Sequence, residues 1–212
     1  MNDPVVRKIQ VGMLGTNCYI VMDPASKEGY IIDPGSDARK ILEAARSMGL
    51  DCKGVLCTHG HIDHVGAVGK VAAALDADVY ISEGDAGVLT GSTLGAKLGG
   101  LLVSKPRGVE YLHAGEHLHM GDVLLKVLST PGHSRGSMSF LCGDDLFGGD
   151  LVFEGSVGRT DLSGGSLSDL LESVRREVFV LDDDTRIHPG HGPDTTVGRE
   201  KARNPYLREL ED

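Results

Sequence analysis

The sequence predicts an α+β chain in which two β-sheets pack face to face with helices on the outside. Two observations predict it. Along the 212 residues, short apolar runs punctuated by Gly and Pro give way to a helical stretch, and this order of strands followed by a helix occurs twice. Several of those runs also end in His or Asp, as strands do when they deliver side chains to one rim of a sheet.

The opening reads as antiparallel. Val5 to Val11, Cys18 to Met22 and Tyr30 to Asp33 are short strands separated by turns. Asp37 to Ala45 reads as a helix, capped by Ser36 or Asp37 and ended by Gly49. A strand from Gly54 to Thr58 follows, and then Val65 to Leu75, rich in Ala and Val, reads as a second helix with Asp63 and His64 at or just before its amino end. Asp78 to Ser82 is a strand. The stretch from Gly84 to Gly108 has many glycines and no period, the composition of a long surface loop beside a cleft. The second half supplies strands near Glu116 to His119, Val123 to Ser129, Met138 to Cys142 and Asp145 to Phe147. A helix from Leu167 to about Val178, a short strand from Arg186 to His188 and a final helix after Thr196 complete the chain. Nothing resembling a linker divides it, so residues 1–212 read as one domain.

Composition narrows the partners. Thirty glycines and an aromatic share of 4% imply many turns and a core of Val, Leu, Ile and Ala. The formal charge of −10 argues against a nucleic-acid face, which needs clustered Lys and Arg. No apolar segment is long enough to span a bilayer, and the amino terminus lacks the apolar block of a signal peptide. Cys18, Cys52, Cys57 and Cys142 show no Cys-x-x-Cys spacing, which fits reduced thiols and a cytoplasmic location. Cys57, at the end of a Val-Leu run, reads as a small buried apolar residue rather than a nucleophile.

The chemistry is concentrated in Thr58-His59-Gly60-His61-Ile62-Asp63-His64. Three imidazoles and a carboxylate crowded together at a strand end repel one another and lose hydration unless protons or a cation compensate them, and a divalent metal is the simplest answer. Further ligands belong where other apolar runs end in His or Asp. Val123 to Leu128 runs into Thr130-Pro131-Gly132-His133, Asp145-Leu146-Phe147 runs through Gly148-Gly149 to Asp150, and Thr185-Arg186-Ile187 reaches His188-Pro189-Gly190-His191. Pro-Gly-His reads both times as a tight turn that aims a histidine off a strand end. His113, His117, His119 and His188 read as surface or structural residues.

The set His59-x-His61-x-Asp63-His64, His133, Asp150 and His191 resembles the metallo-β-lactamase-fold hydrolases, and the likeness covers most of the chain. Thr130 to Ser137, Gly149-Asp150, Gly158-Arg159-Thr160-Asp161 and Pro189 to Thr196 look like the glyoxalase II-like branch, the hydroxyacylglutathione hydrolases. The resemblance implies a four-layer αββα sandwich with a two-metal centre. His59, His61 and His133 would hold the first ion, Asp63, His64 and His191 the second, and Asp150 would bridge them. Zinc is expected, with iron or manganese also suited to an imidazole and carboxylate set. The implied reaction is hydrolysis of a small-molecule thioester by a metal-bridging hydroxide, with Asp63 and Asp150 as ligands first and proton carriers second.

Arg159 and Asp161 are expected either to support a ligand as a pair or to meet a substrate carboxylate. Full-length glyoxalase II enzymes carry a helical extension that helps bind glutathione. The chain ends 21 residues after His191, so it looks like the shorter glyoxalase II-like proteins. A mononuclear-iron persulfide dioxygenase, which shares His59, His133, Asp150 and the Gly-Arg-Thr-Asp segment, and a lactonase of the same fold are the alternatives.

Overall fold

In the computed structural model, which describes residues 3–91 and 103–208, the first half of the chain builds one six-stranded sheet. Its strands are β1 (Val5–Val11), β2 (Thr16–Met22), β3 (Glu28–Ile32), β4 (Asp51–Leu56), β5 (Val79–Ile81) and β6 (Glu110–Tyr111), in that spatial order. The first three are antiparallel, as expected, and β3 to β6 are parallel. The second half builds the other sheet from β7 (His117–Met120), β8 (Val123–Ser129), β9 (Met138–Cys142), β10 (Asp145–Gly149), β13 (Arg186–Pro189) and β14 (Thr195–Thr196). Between β10 and β13 a small ribbon forms from β11 (Val152–Phe153) and β12 (Ser156–Val157).

Side-chain alternation along the strands explains the layers. Every residue of β2 is buried, as a strand covered on both faces must be. Cys18 and Ile20 join Ile31, Val55, Ile41 and Val71 in one core, whereas Tyr19 and Val21 join Ile32, Leu56, Leu125, Phe140 and Phe147 in a second. A third core holds Leu146, Leu170, Val174, Ile187 and Val197. The first lies under the helices α1 (Ala38–Met48) and α3 (Val68–Leu75), the second lies between the sheets, and the third lies under α5 (Leu167–Ser173) and α6 (Val197–Arg203). Three apolar interfaces stacked in this way separate four layers, the expected αββα sandwich. Phe140 and Phe147 are fully buried in the middle interface, where truncating either to Ala costs about 3–5 kcal/mol.

The structure departs from the sequence-based expectation in several places. The helix expected over residues 65–75 is two helices, α2 (Ile62–Val65) and α3, so Asp63 and His64 lie inside the first rather than before it. The break has a cause. Ala67 N–H donates to Pro34 O instead of continuing the helical ladder, and a Cβ on Gly66 would lie 2.5 Å from Gly35 O. Asp37 stands at the start of α1 but does not cap it; its carboxylate accepts from Gly12 N–H at 2.9 Å. Within the expected loop of residues 84–108, α4 (Gly87–Thr90) forms and buries Leu89, while residues 92–102 lie outside the described part. The two-residue strands β6, β11, β12 and β14 are too short to leave a period in the sequence. The helix expected to reach Val178 does so, its last turn widening to a π-type turn over Val174–Val178.

Candidate metal centre

Strand direction brings the ligands to one rim. β3 and β4 are parallel, so Asp33 and the segment from Thr58 leave the first sheet on the same side. In the second sheet β8 and β10 are both antiparallel to β9, hence parallel to each other, and β10 is parallel to β13. His133, Asp150 and His191 follow the carboxyl ends of β8, β10 and β13 and therefore emerge together. The two sheets meet at this point: Thr16, the first residue of β2, forms a bridge with His191, and Asn17 N–H donates to Gly190 O at 2.7 Å.

His59, His61 and His133 present nitrogens within 4.8 Å of one another, and the same holds for the donor atoms of Asp63, His64 and His191. Asp150 lies between the triads. Its Oδ1 is 3.4 Å from His64 Nε2, and its Oδ2 is 3.6 Å from His133 Nε2 and 3.8 Å from His191 Nε2. Asp63 Oδ2 is 3.2 Å from His191 Nε2 and 3.5 Å from His64 Nε2. All seven sequence-predicted ligands are thus brought together.

The opposite ring nitrogens are held from behind. His64 Nδ1–H donates to Asp33 Oδ2 at 2.9 Å, His59 Nδ1 contacts Thr58 Oγ1 at 2.9 Å, His133 Nδ1 contacts Arg159 O at 2.7 Å, and His191 Nδ1 contacts Leu14 O at 3.3 Å. Each contact selects the tautomer that leaves Nε2 as a lone-pair donor. His61 differs, presenting Nδ1 at 2.8 Å from His133 Nε2.

Two carboxylates not singled out from the sequence organise these contacts. Asp33 accepts from Thr58 N–H at 2.7 Å and Thr58 Oγ1–H at 2.6 Å as well as from His64. It reaches one histidine of each triad, His64 directly and His59 through the Thr58 hydroxyl. Asp33, His59 and His64 also form a donor group of their own, but with three hydrogen bonds already on its oxygens Asp33 is a support rather than a ligand. Asp85 accepts from Gly60 N–H at 2.9 Å, Ser134 Oγ–H at 2.6 Å and Gly136 N–H at 3.1 Å, tying the His59-Gly60-His61 turn to the loop after His133. The signal for Asp33 was present, since Tyr30-Ile31-Ile32 is an apolar run ending in Asp. Asp85 has no local signal.

The electrostatics fit cations. Among the described residues His59 Nε2 and Asp150 Oδ1 are buried without a hydrogen-bond partner, and each such orphan costs about 1–3 kcal/mol unless something satisfies it. Burial, reinforced by the neighbouring His64 and His133, drives the His59 pKa well down. Burial and His133 also lower that of His61. Burial opposes charge on His64 too, yet the Asp150 and Asp33 carboxylates outweigh it and push its pKa up to about 9. Asp63 is held below the usual carboxylate range: burial would raise its pKa, but the His191 hydrogen bond and the charge of His64 prevail. An all-imidazole triad that resists protonation, beside a triad whose His64 is drawn toward charge by the surrounding carboxylates, suits two dications sharing Asp150.

The Pro-Gly-His turns use glycine for different reasons. Gly132 adopts φ +137, open only to glycine at no cost. Gly190 has an ordinary backbone, but a Cβ there would collide with Asp150 Oδ1 and lie 2.6 Å from His64 Cε1.

The centre opens into a cleft of about 1130 Å³ whose walls include Leu14, Ile62, Val88, Phe153 and Leu162. Arg159 also lines it, and its guanidinium donates twice to Asp161, at 2.8 and 2.7 Å, in an exposed pair. The Arg159 backbone carbonyl accepts from His133 Nδ1 at 2.7 Å. His188 is buried in β13, with Nε2 2.7 Å from Asp145 Oδ1 and its ring stacked on Phe147, whereas His113, His117 and His119 are exposed. Cys57 is fully buried and its thiol pKa is raised by that burial. Among the described residues no helix is long and apolar enough to cross a membrane.

The sequence profile of the metallo-beta-lactamase superfamily matches residues 11–198. The hydroxyacylglutathione hydrolase GloC of Haemophilus influenzae is 33% identical, over 94% of this chain and 96% of its own length. Among solved structures, TTHA1623 in a di-iron-bound form is 40% identical and superposes with a TM-score of 0.83, over 95% of this chain and 100% of its own. The B3 metallo-beta-lactamase BLEG-1 is 34% identical with a TM-score of 0.84, over 96% and 99% of the two chains.

Proposed function

Because the chain belongs to the metallo-β-lactamase superfamily, we propose that it is a binuclear metal-dependent hydrolase whose substrate is a small acylthiol, a thioester of the S-2-hydroxyacylglutathione kind. The observation that carries this reading is Asp150, with one carboxylate oxygen beside each triad and Oδ1 buried without a hydrogen-bond partner among the described residues. His59, His61 and His133 would hold one ion and Asp63, His64 and His191 the other, with Asp150 on both. Zinc suits this nitrogen and oxygen set, and the di-iron form of the 40% identical neighbour keeps iron beside it. Manganese fits the same donors.

Two divalent ions held there would supply a water activated at neutral pH and a Lewis acid for the thioester carbonyl. The protein's own part is to orient and to exclude. Asp33, Thr58 and the carbonyls of Arg159 and Leu14 lock the histidines, and Leu14, Ile62 and Phe153 give the acyl group an apolar wall. No protein nucleophile is needed: the Ser134 hydroxyl, beside His133, is committed to a hydrogen bond that it donates to Asp85. Asp63, kept ionised, serves as a ligand before it serves as a proton carrier. A thiolate is a good leaving group and departs without a strong general acid. The net charge of −10 disfavours nucleic acid as substrate, and four unpaired thiols suit the reducing cytoplasm.

The test is metal content and turnover measured on one sample, against acylthiols, lactones and a β-lactam, the last because of the 34% identical neighbour. Two metals per chain with thioesters turned over fastest is the expected result. One iron per chain with oxygen uptake on a glutathione persulfide would establish the dioxygenase instead, and faster lactone turnover a lactonase.

A further inference from the structure

Arg135 stands two positions after His133 and lines the same cleft as Asp150 and His191. It is exposed, and among the described residues it has no hydrogen-bonded or ionic partner. The other arginine of the cleft, Arg159, is occupied twice over by Asp161. The Arg135 stem is guided by the backbone of Gly164, where a Cβ would lie 3.2 Å from Arg135 Cγ. Gly164 lines the cleft and has φ +93, so a side chain there would both strain the turn and push the arginine aside.

An uncommitted cation in this place is informative because its surroundings are acidic or apolar. Asp63, Asp85 and Asp150 line the cleft with Leu14, Ile62 and Phe153, and the whole chain carries a formal charge of −10. Apart from the metal centre itself, Arg135 is the uncommitted cation that a substrate anion meets along the cleft wall. We propose that Arg135 is a specificity-determining residue that docks a carboxylate borne by the acylthiol, while the thioester carbonyl reaches the metal centre. A guanidinium offers a planar fork that matches one carboxylate through two parallel hydrogen bonds. A thiol bearing several phosphates would need more cations than this wall supplies. The inference rests on the hydrolase reading of the centre and narrows its substrate class.

The experiment compares the wild-type protein, Arg135→Ala and Arg135→Lys on matched thioester pairs. One pair is the acetyl thioester of 3-mercaptopropionate against that of its amide, with the carboxylate on the thiol side. The other is a succinyl thioester against its amide, with the carboxylate on the acyl side. In the wild type one of the two carboxylate compounds should show a KM about fivefold below its amide, the size of an exposed but well-aligned charge pair. Arg135→Ala should erase that difference and leave kcat on the amides unchanged, and Arg135→Lys should restore part of it. Whichever pair responds identifies the side that carries the anion.

Calorimetric binding of the corresponding non-hydrolysable thioethers to the metal-loaded protein separates the two claims. Comparing carboxylate with amide in both wild type and Arg135→Ala cancels any direct attraction of the carboxylate to the metals. If no thioester is turned over, the hydrolase reading fails while the thioethers still report on Arg135. A carboxylate preference that survives unchanged in Arg135→Ala, or no preference in the wild type, would overturn the proposal.

Discussion

Asp33 Oδ2 lies 2.9 Å from His64 Nδ1, and the same oxygen accepts the Thr58 hydroxyl that backs His59. One carboxylate therefore governs a histidine in each triad. Replacing it by Ala frees both rings and leaves the buried Thr58 N–H unsatisfied. Asp33→Ala is expected to lower metal affinity or turnover by about 10–100-fold, the usual effect of removing such support. Metal titration alongside circular dichroism checks it; near wild-type metal affinity in a folded variant would contradict the assignment.

Asp150→Ala removes the carboxylate shared by both triads. Hydrolysis and metal loading should disappear together. Elemental analysis and thioester turnover on the same preparation decide the matter, and a folded variant that retains wild-type turnover would show that Asp150 is not shared.

Asp85→Ala separates the two sites. Among the described residues the Asp85 carboxylate holds only the loops that carry His59, His61 and His133, so the variant should lose the first ion while Asp63, His64 and His191 keep the second. Metal content should fall toward one per chain. Equal loss from both sites would mean that Asp85 supports the fold rather than one triad.

Metal uptake should depend on pH through His64. Its pKa in the metal-free protein is about 9, so near neutral pH Nε2 carries a proton that a cation must displace. Affinity is expected to rise with pH up to about 9 from this group, with proton release on metal addition measurable in weakly buffered solution. The sign for stability is the reverse. A folded pKa raised above the ordinary 6.5 stabilises the metal-free fold below that ordinary value, and the contribution is lost as pH rises through about 9. Thermal melts of chelator-treated protein from pH 6 to pH 10 check this. A melting temperature that does not fall over the upper part of that range would count against a protonated His64.

Gly190→Ala tests the packing of the centre. Its Cβ would strike Asp150 Oδ1 and crowd His64 Cε1, so metal loading should drop sharply while the far-UV spectrum is kept. Full loading in this variant would show that the turn yields easily.

The ligands were legible because each follows an apolar run that is in fact a strand, and because strand order brings those ends together. Asp33 follows the same rule, but in the sequence it is indistinguishable from the last residue of a strand; its φ of 52° shows that the chain has already left the sheet. Asp85 could not have been found in this way. It acts on backbone groups and a hydroxyl 25 to 51 residues away, a relation with no local pattern. The split between α2 and α3 was hidden for a similar reason, since the N–H that breaks the helix is captured by Pro34, far back in the chain. The two sheets with helices outside were readable from the order of apolar runs, whereas β6 and β14 are two-residue strands that form against the longer β5 and β13, and β11 and β12 pair only with each other.

Each triad draws two members from the first half of the chain and one from the second, His133 or His191. An ion bound there would consequently be a rivet through both sheets, since neither half supplies a whole triad. Separately expressed halves should each grip metal poorly, and mixing them with metal should drive their reassembly. Chelation, by the same logic, acts on the sandwich as a whole and loosens the seam at Thr16 and His191 before it touches the outer helices.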